Sequence, residues 1–237
     1  MHTAVYERSR VALSVVAMDP AEPLGGWCTR TGVGDALVGG FFVTPVGTPL
    51  GDLWIDGRRR ETTPFDAPWH GVRSCVAVHG DRIDMAPRAD LPASPPGDLL
   101  QAGPLLVRGG RPAAASGDDR EGFSAGSGQF DSDISDGRHP RAALGVHDDA
   151  LIAVVCDGRH EEEAGLSLPE LAHLMIRLGA RDAINLDGGG SATLIAGGRL
   201  RNRPREAWGR DLPAGRPLAT ALALRPRGGD QPLAATV

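Results

Sequence analysis

Three glycines in succession follow an aspartate in the stretch Ala183 to Leu194, AINLDGGGSATL. Such a run loses more backbone entropy on folding than almost any other, so a fold that keeps it needs φ > 0 there or a ligand close to bare backbone. Ala183, Ile184 and Leu186 have strand character before Asp187, and Ala192 to Ile195 is apolar again before Gly197-Gly198. Two readings follow. The N–H groups of Gly188, Gly189 and Gly190 can curl into a concave anion nest with the Ser191 hydroxyl at its rim, which suits a phosphate or a sugar oxygen. Alternatively, the run is a tight turn between two strands.

Composition narrows the chemistry. The chain has 237 residues, 41% of them hydrophobic, enough for one substantial core. High glycine (33) and proline (19) with only 4% aromatics point to many turns and short strands. A net charge of −5 offers no basic footprint for nucleic acid. All 25 basic residues are arginine, which excludes Schiff bases, a Walker lysine and a pyridoxal anchor. Cys28, Cys75 and Cys156 are far apart without C-x-x-C spacing and read as reduced structural thiols. The apolar run Val11 to Met18 is too short to span a bilayer and lacks a cleavage site, so the expectation is a cytoplasmic chain with no membrane span.

Along the chain, Arg10 to Met18 reads as a strand stopped by Asp19-Pro20. Leu37 to Val43, LVGGFFV, is a strand broken by Gly39-Gly40. Asp56-Gly57 signals a turn, and Ser74–Val78 with Arg82–Met85 reads as a hairpin. The proline-rich segment 87–97 is an irregular connection, and Gln101 to Val107 returns to strand character. The Gly/Ser/Asp-rich stretch 111–139 is expected to be a lid or a mobile loop. Within it, Asp131 to Gly137 fails the calcium-loop spacing because the glycine comes one place late. The histidines show neither H-x-H nor H-E-x-x-H spacing, so no metal or other cofactor is expected. Thr193 stands where a nucleophile elbow needs its second glycine, which leaves Ser191 as a hydrogen-bond donor.

The best-defined architecture lies at 151–187. Leu151 to Cys156 has the unbroken apolar character of a strand buried on both faces. Ser167-Leu-Pro-Glu170 forms a capping box, and Leu171, Leu174, Met175 and Leu178 fall on one helix face that Gly179 ends. Ala183 to Asp187 closes a strand-helix-strand unit, which is usually a crossover between parallel strands. Asp157 and Asp187 would then lie at the carboxyl ends of the two strands, where open sheets bind ligands. If the strands are neighbours, about 4.8 Å apart, one small ligand can touch both carboxylates. In the plainer reading, each is a turn residue before glycine.

Several motifs together resemble the phosphodiester glycosidase family. They are HPRAALG at 139–145, DGR at 157–159, GLSLPELAHLMIRLGA at 165–180, NLDGGGSATL at 185–194, Asn202-Arg203-Pro204 and RPLATALAL at 216–224. The resemblance implies one α/β domain (α+β mixed) with a mixed β-sheet core, a motif-bearing region of about 10–224 and a tail over 226–237. It also implies hydrolysis of a sugar-1-phosphodiester on the glycosidic side. Asp187 and Asp157 would share the acid, base or nucleophile roles. Arg141, Arg159, Gly188, Gly189, Gly190, Ser191, Arg216, Asn202, Gly40 and Gln101 would bind substrate and phosphate. Arginine suits this work because its planar fork grips phosphate oxygens and stays charged. Val38 and Ala142 depart from the family's usual asparagine and threonine. The alternative function is a non-catalytic module that binds phosphorylated glycans in polysaccharide assembly. The expected partner is a small-molecule or glycan sugar-phosphodiester substrate, and the sequence leaves the oligomeric state open.

Overall fold

Alternation along two neighbouring strands dictates the layering. The strand Arg141–Val146 sends Ala142, Leu144 and Val146 into one apolar cluster and Ala143 into another. Its neighbour Ala150–Cys156 divides Leu151, Ala153 and Val155 from Ile152 and Val154 in the same way. Since successive side chains point to opposite faces, a sheet with apolar residues on both must be covered on both. The computed structural model, which describes residues 1–43, 47–113, 119–123, 134–228 and the strand Ala235–Thr236, has this arrangement.

The central sheet has seven strands in the order Arg111–Pro112, Leu105–Arg108, Asp182–Asn185, Arg141–Val146, Ala150–Cys156, His2–Glu7 and Ala235–Thr236. On one face lies the helix Leu168–Arg177, held by the Ser167–Glu170 capping box, with Leu171, Leu174 and Met175 buried. Each of those side chains contributes roughly 1.5–3 kcal/mol by leaving water. On the other face lies a five-stranded sheet ordered Arg199–Leu200, Leu194–Ala196, Asp35–Val38, Pro217–Pro226 and Val11–Pro23. A second five-stranded sheet runs Arg58–Arg59, Leu53–Ile55, Asp98–Gln101, Ser74–His79 and Arg82–Pro87. Leu144, Leu222 and Leu100 share one apolar cluster, so a single core serves all three sheets.

Strands and bridges hold 45% of the described residues and helices 15%, and every ladder between neighbouring strands is antiparallel. The molecule is therefore more β-rich than the expected α/β class. The crossover from 156 to 182 does join two parallel strands, but they are not neighbours, because Arg141–Val146 lies between them and pairs antiparallel with each. The first long strand runs through Asp19-Pro20 to Pro23. Its ladder absorbs the missing proline donor by an irregularity, passing from Thr220↔Ala17 to Leu218↔Glu22. Gln101 to Val107 is two strands in different sheets, with the chain crossing over at Ala102-Gly103-Pro104.

The hairpins at Asp56-Gly57 and His79 to Arg82 form as expected, and the three thiols are free and buried. The helix Leu24–Thr31, with glycines at 25 and 26, is not visible in the sequence pattern; burial of Leu24, Trp27 and Cys28 holds it. Of the stretch 111–139 expected as a lid or mobile loop, residues 114–118 and 124–133 lie outside the described residues. No helix among the described residues is long and apolar enough to cross a membrane.

Candidate functional site

Two strands that run parallel with one between them bring their carboxyl ends to the same edge of the sheet. Asp157 and Asp187 both lie there, together with Arg141 at the start of the intervening strand. Their backbones are two ladder spacings apart, about 10 Å, not the single spacing expected of neighbours. Pro140 fills the gap. A Cβ on Gly158 would come within 2.9 Å of the Pro140 nitrogen, and one on Gly188 within 2.8 Å of its carbonyl oxygen. Each aspartate is therefore followed by glycine because the backbone must close onto Pro140.

Asp157 is buried and its oxygens are occupied. His2 Nε2 lies 2.8 Å from Oδ2, and the Arg203 N–H donates to Oδ1 at 2.7 Å. The carboxylate thereby ties the N-terminal strand to the segment after Arg199–Leu200.

Asp187 is in a different condition. Its N–H donates to the Gly39 carbonyl at 3.0 Å, anchoring the residue to the facing sheet. Burial pushes its carboxyl up to about 6, against the opposing effects of the Ser191 hydroxyl, Arg216, the Gly188 N–H and Arg159. The two guanidiniums lie on the glycine turn itself. A Cβ on Gly189, whose φ is +56°, would stand 2.9 Å from an Arg159 terminal nitrogen, and one on Gly190 would stand 3.3 Å from Arg216. The turn is thus bare because two arginines cover it.

The anion nest is narrower than the sequence suggests. Gly188 N–H donates to Asp187 Oδ1, Gly189 N–H to the Pro140 carbonyl and Ser191 N–H to the Gly188 carbonyl. Among the described residues, only the Gly190 amide of this turn has no acceptor. Burial lowers the pKa of Arg159, and its Nη1 donates to the Arg205 carbonyl at 3.0 Å. Arg216 donates from Nε to Glu206 at 3.1 Å, and its Nη1 lies 3.5 Å from Ser191 Oγ.

The remaining sequence-derived candidates are held inside the fold. Arg141 is buried and directs its guanidinium to the carbonyls of Leu166, Ile134 and Gly137. Asn202 accepts from the Leu194 N–H and donates to the Ala192 carbonyl, bracing the strand that leaves the glycine turn. Gln101 accepts from the Asp52 N–H and donates to the His70 and Arg73 carbonyls. Gly40 N–H donates to Thr220 Oγ1, and a Cβ there would come within 2.8 Å of the Gln101 carbonyl oxygen.

Sequence reasoning missed Glu206. Its hydrogen bond from Arg216 holds it below the usual carboxylate range, and it orients the guanidinium that covers Gly190. A lone glutamate in a loop carries no motif; only its place between Arg205 and the exposed tryptophan of PREAWG distinguishes it. Arg205 pins the same loop by ion pairs with Glu163 and Asp211. Trp208, in that loop, is fully exposed and has φ +64°, a conformation that is strained by about 1–3 kcal/mol for a residue with a side chain. Among the described residues no three metal-ligating side chains converge. A cavity of about 670 Å³ lies apart from the glycine turn, against the second five-stranded sheet, between Trp54, Arg59, Phe65 and Arg88.

Comparison with known proteins gives the family and the fold. The family model described as phosphodiester glycosidase matches residues 32–225. Mouse N-acetylglucosamine-1-phosphodiester alpha-N-acetylglucosaminidase is 30% identical over 175 residues, which is 71% of this chain and 32% of the mouse protein. The chain thus spans about a third of that relative's length. The zebrafish N-acetylglucosamine-1-phosphodiester alpha-N-acetylglucosaminidase catalytic domain, auto-inhibited by its pro-peptide, superposes with a TM-score of 0.69 at 22% identity. That match covers 93% of this chain and 74% of the other. A putative exported protein from Burkholderia pseudomallei K96243 matches with a TM-score of 0.64 at 19% identity, over 94% of this chain and 73% of the other. The two structures share the fold.

Proposed function

Because the chain belongs to the phosphodiester glycosidase family, we propose that it hydrolyses the glycosidic bond of a sugar-1-phosphodiester. Water adds at the anomeric carbon, the bond from that carbon to the phosphate oxygen breaks, and free sugar and a phosphomonoester leave. The observation that carries this reading is the Asp187 carboxyl, pushed up to about 6 between Arg159 and Arg216 over bare glycine backbone.

Each group has a role that follows from its surroundings. Arg159 and Arg216 hold the phosphate and stabilise the charge that grows on it as the bond breaks. The Gly190 N–H supplies one further donor. A phosphate departs readily without strong protonation, so the carboxylate that assists attack at the anomeric carbon dominates the rate. In this scheme that group is Asp187. With a pKa near 6 it is ionised at neutral pH and more basic than an ordinary aspartate. Glu206 aims Arg216, while Asp157, Arg141 and Asn202 brace the segments that flank the turn, and Gly40 packs against Gln101 and Thr220 in the neighbouring sheets. No cofactor enters the scheme.

The mouse relative's name specifies an N-acetylglucosamine-1-phosphodiester, so that substrate heads the test. Purified protein is incubated with UDP-sugars and simple sugar-1-phosphodiesters, and free sugar and phosphomonoester are followed together. Stoichiometric release of both is expected. Saturable binding without release would instead favour the phosphoglycan-binding module.

A further inference from the structure

We propose that Trp208 is a substrate-recognition residue whose indole face forms a platform for the pyranose ring of the glycosyl phosphodiester; this rests on the reading of the Asp187 site given above. Folding does not account for this side chain. Trp208 is fully exposed and belongs to none of the apolar clusters. Its φ of +64° and ψ of +20° lie in the left-handed region, which favours glycine or asparagine over a bulky residue. Both features oppose a tryptophan, and a polar residue would serve the turn better on each count.

The turn that displays it is firmly held. Glu206 N–H donates to the Arg210 carbonyl at 2.9 Å, Gly209 N–H to the Glu206 carbonyl at 3.3 Å, and Leu212 N–H to the Pro204 carbonyl at 2.9 Å. Arg205 pairs with Glu163 and Asp211. The same turn touches the site on both sides of Trp208. Before it, the Arg205 carbonyl accepts from Arg159 Nη1 and Glu206 pairs with Arg216. After it, a Cβ on Gly209 would meet the Arg159 carbonyl oxygen at 2.8 Å. The backbone that carries the indole is therefore the same backbone that positions both phosphate-facing arginines.

A pyranose offers a face of C–H groups that packs on an aromatic ring, while its hydroxyls stay wet. Indole, with a broad apolar face and one N–H donor, suits a partner that is half apolar and half polar. The sugar ring is also the part common to every substrate of the proposed reaction, whatever stands beyond the phosphate.

The test compares wild type, Trp208→Ala and Trp208→Phe on two substrates, methyl N-acetylglucosamine 1-phosphate and UDP-N-acetylglucosamine. Trp208→Ala should raise KM about tenfold on both, the scale of losing one aromatic stacking partner, with kcat within about twofold. Trp208→Phe should recover most of the loss. In parallel, saturating N-acetylglucosamine 1-phosphate should shield wild-type fluorescence from acrylamide quenching, and that shielding should vanish in Trp208→Ala. An unchanged KM with no shielding would overturn the proposal. A KM increase confined to the UDP substrate would assign the indole to the aglycone and overturn the pyranose assignment. If wild type cleaves neither substrate, the proposed reaction fails and the quenching experiment decides alone: shielding upholds the platform, and its absence removes it.

Discussion

Asp157 and Asp187 occupy matching places. Each ends an apolar strand, each precedes a glycine that closes onto Pro140, and both lie at one edge of the same sheet. Their surroundings separate them. The donors to Asp157 are a backbone N–H and His2, and both of its oxygens are occupied. Asp187 is desolvated beside two arginine side chains and a serine hydroxyl, and its carboxyl rises to about 6. A carboxylate whose lone pairs the chain has already filled acts as a joint. One whose burial raises the carboxyl to about 6, although the Gly188 N–H and the Ser191 hydroxyl donate to it, retains a proton equilibrium that chemistry can use.

Four substitutions sharpen or break this contrast. The largest effect belongs to Gly189→Val, which puts a β-branched residue at φ +56° with its Cβ in the space of the Arg159 guanidinium. No measurable turnover should remain, and wild-type rates would show that the turn lies outside the site. Asp187→Asn follows, with kcat lowered at least about a hundredfold. Wild-type kcat/KM should rise with pH to a plateau with a midpoint near 6; a profile that falls through 6 would give Asp187 the acid's role instead.

The same substitution has a signature in stability. The folded chain holds the Asp187 proton more tightly than the unfolded chain does, so this group favours folding below about pH 4 and that contribution is lost as the pH rises through 6. Asp187→Asn should therefore be more stable than wild type above pH 6, by roughly 1–3 kcal/mol, and the gap should close below pH 4. Denaturant titrations at pH 3.5 and 8 measure it.

Arg216→Lys should weaken kcat/KM by about 2 kcal/mol, since an ammonium cannot both pair with Glu206 and grip phosphate in two places. Smallest in activity is Asp157→Asn, with turnover within about threefold of wild type and stability lowered by roughly 1–3 kcal/mol as His2 and the Arg203 N–H lose a charged acceptor. A collapse of turnover in folded Asp157→Asn would erase the distinction between the two aspartates.

Local chemistry was legible in the sequence; partnership across the chain was not. The Ser167–Glu170 cap, the two-faced strand ending at Cys156 and the Asp56-Gly57 turn each depend on residues within a few positions. Arg141 and Arg159 look alike as residues of short motifs. What separates them is that Arg141 finds the Leu166 carbonyl, 25 residues on, and Arg159 the Arg205 carbonyl, 46 residues on. The strand Arg141–Val146, rich in alanine and ending in Gly145-Val146, carries little β-propensity, so nothing announced that it would part the two aspartates. Helix Leu24–Thr31 was hidden because tertiary burial, not propensity, sustains it.

The chain leaves one sheet and enters the next within a few residues of the glycine turn. Leu186 N–H donates to Ala142 in the central sheet, Asp187 N–H to Gly39 beside the facing one, and Val38 N–H donates back to Thr193. A site sewn into such a seam has no private way to open. Hydrogen exchange at the Leu186 and Asp187 amides should require separation of the two sheets and so report the global unfolding free energy rather than a local fluctuation. Loss of the proposed activity on heating should then track loss of β-structure point for point, with the glycine turn among the last places to soften.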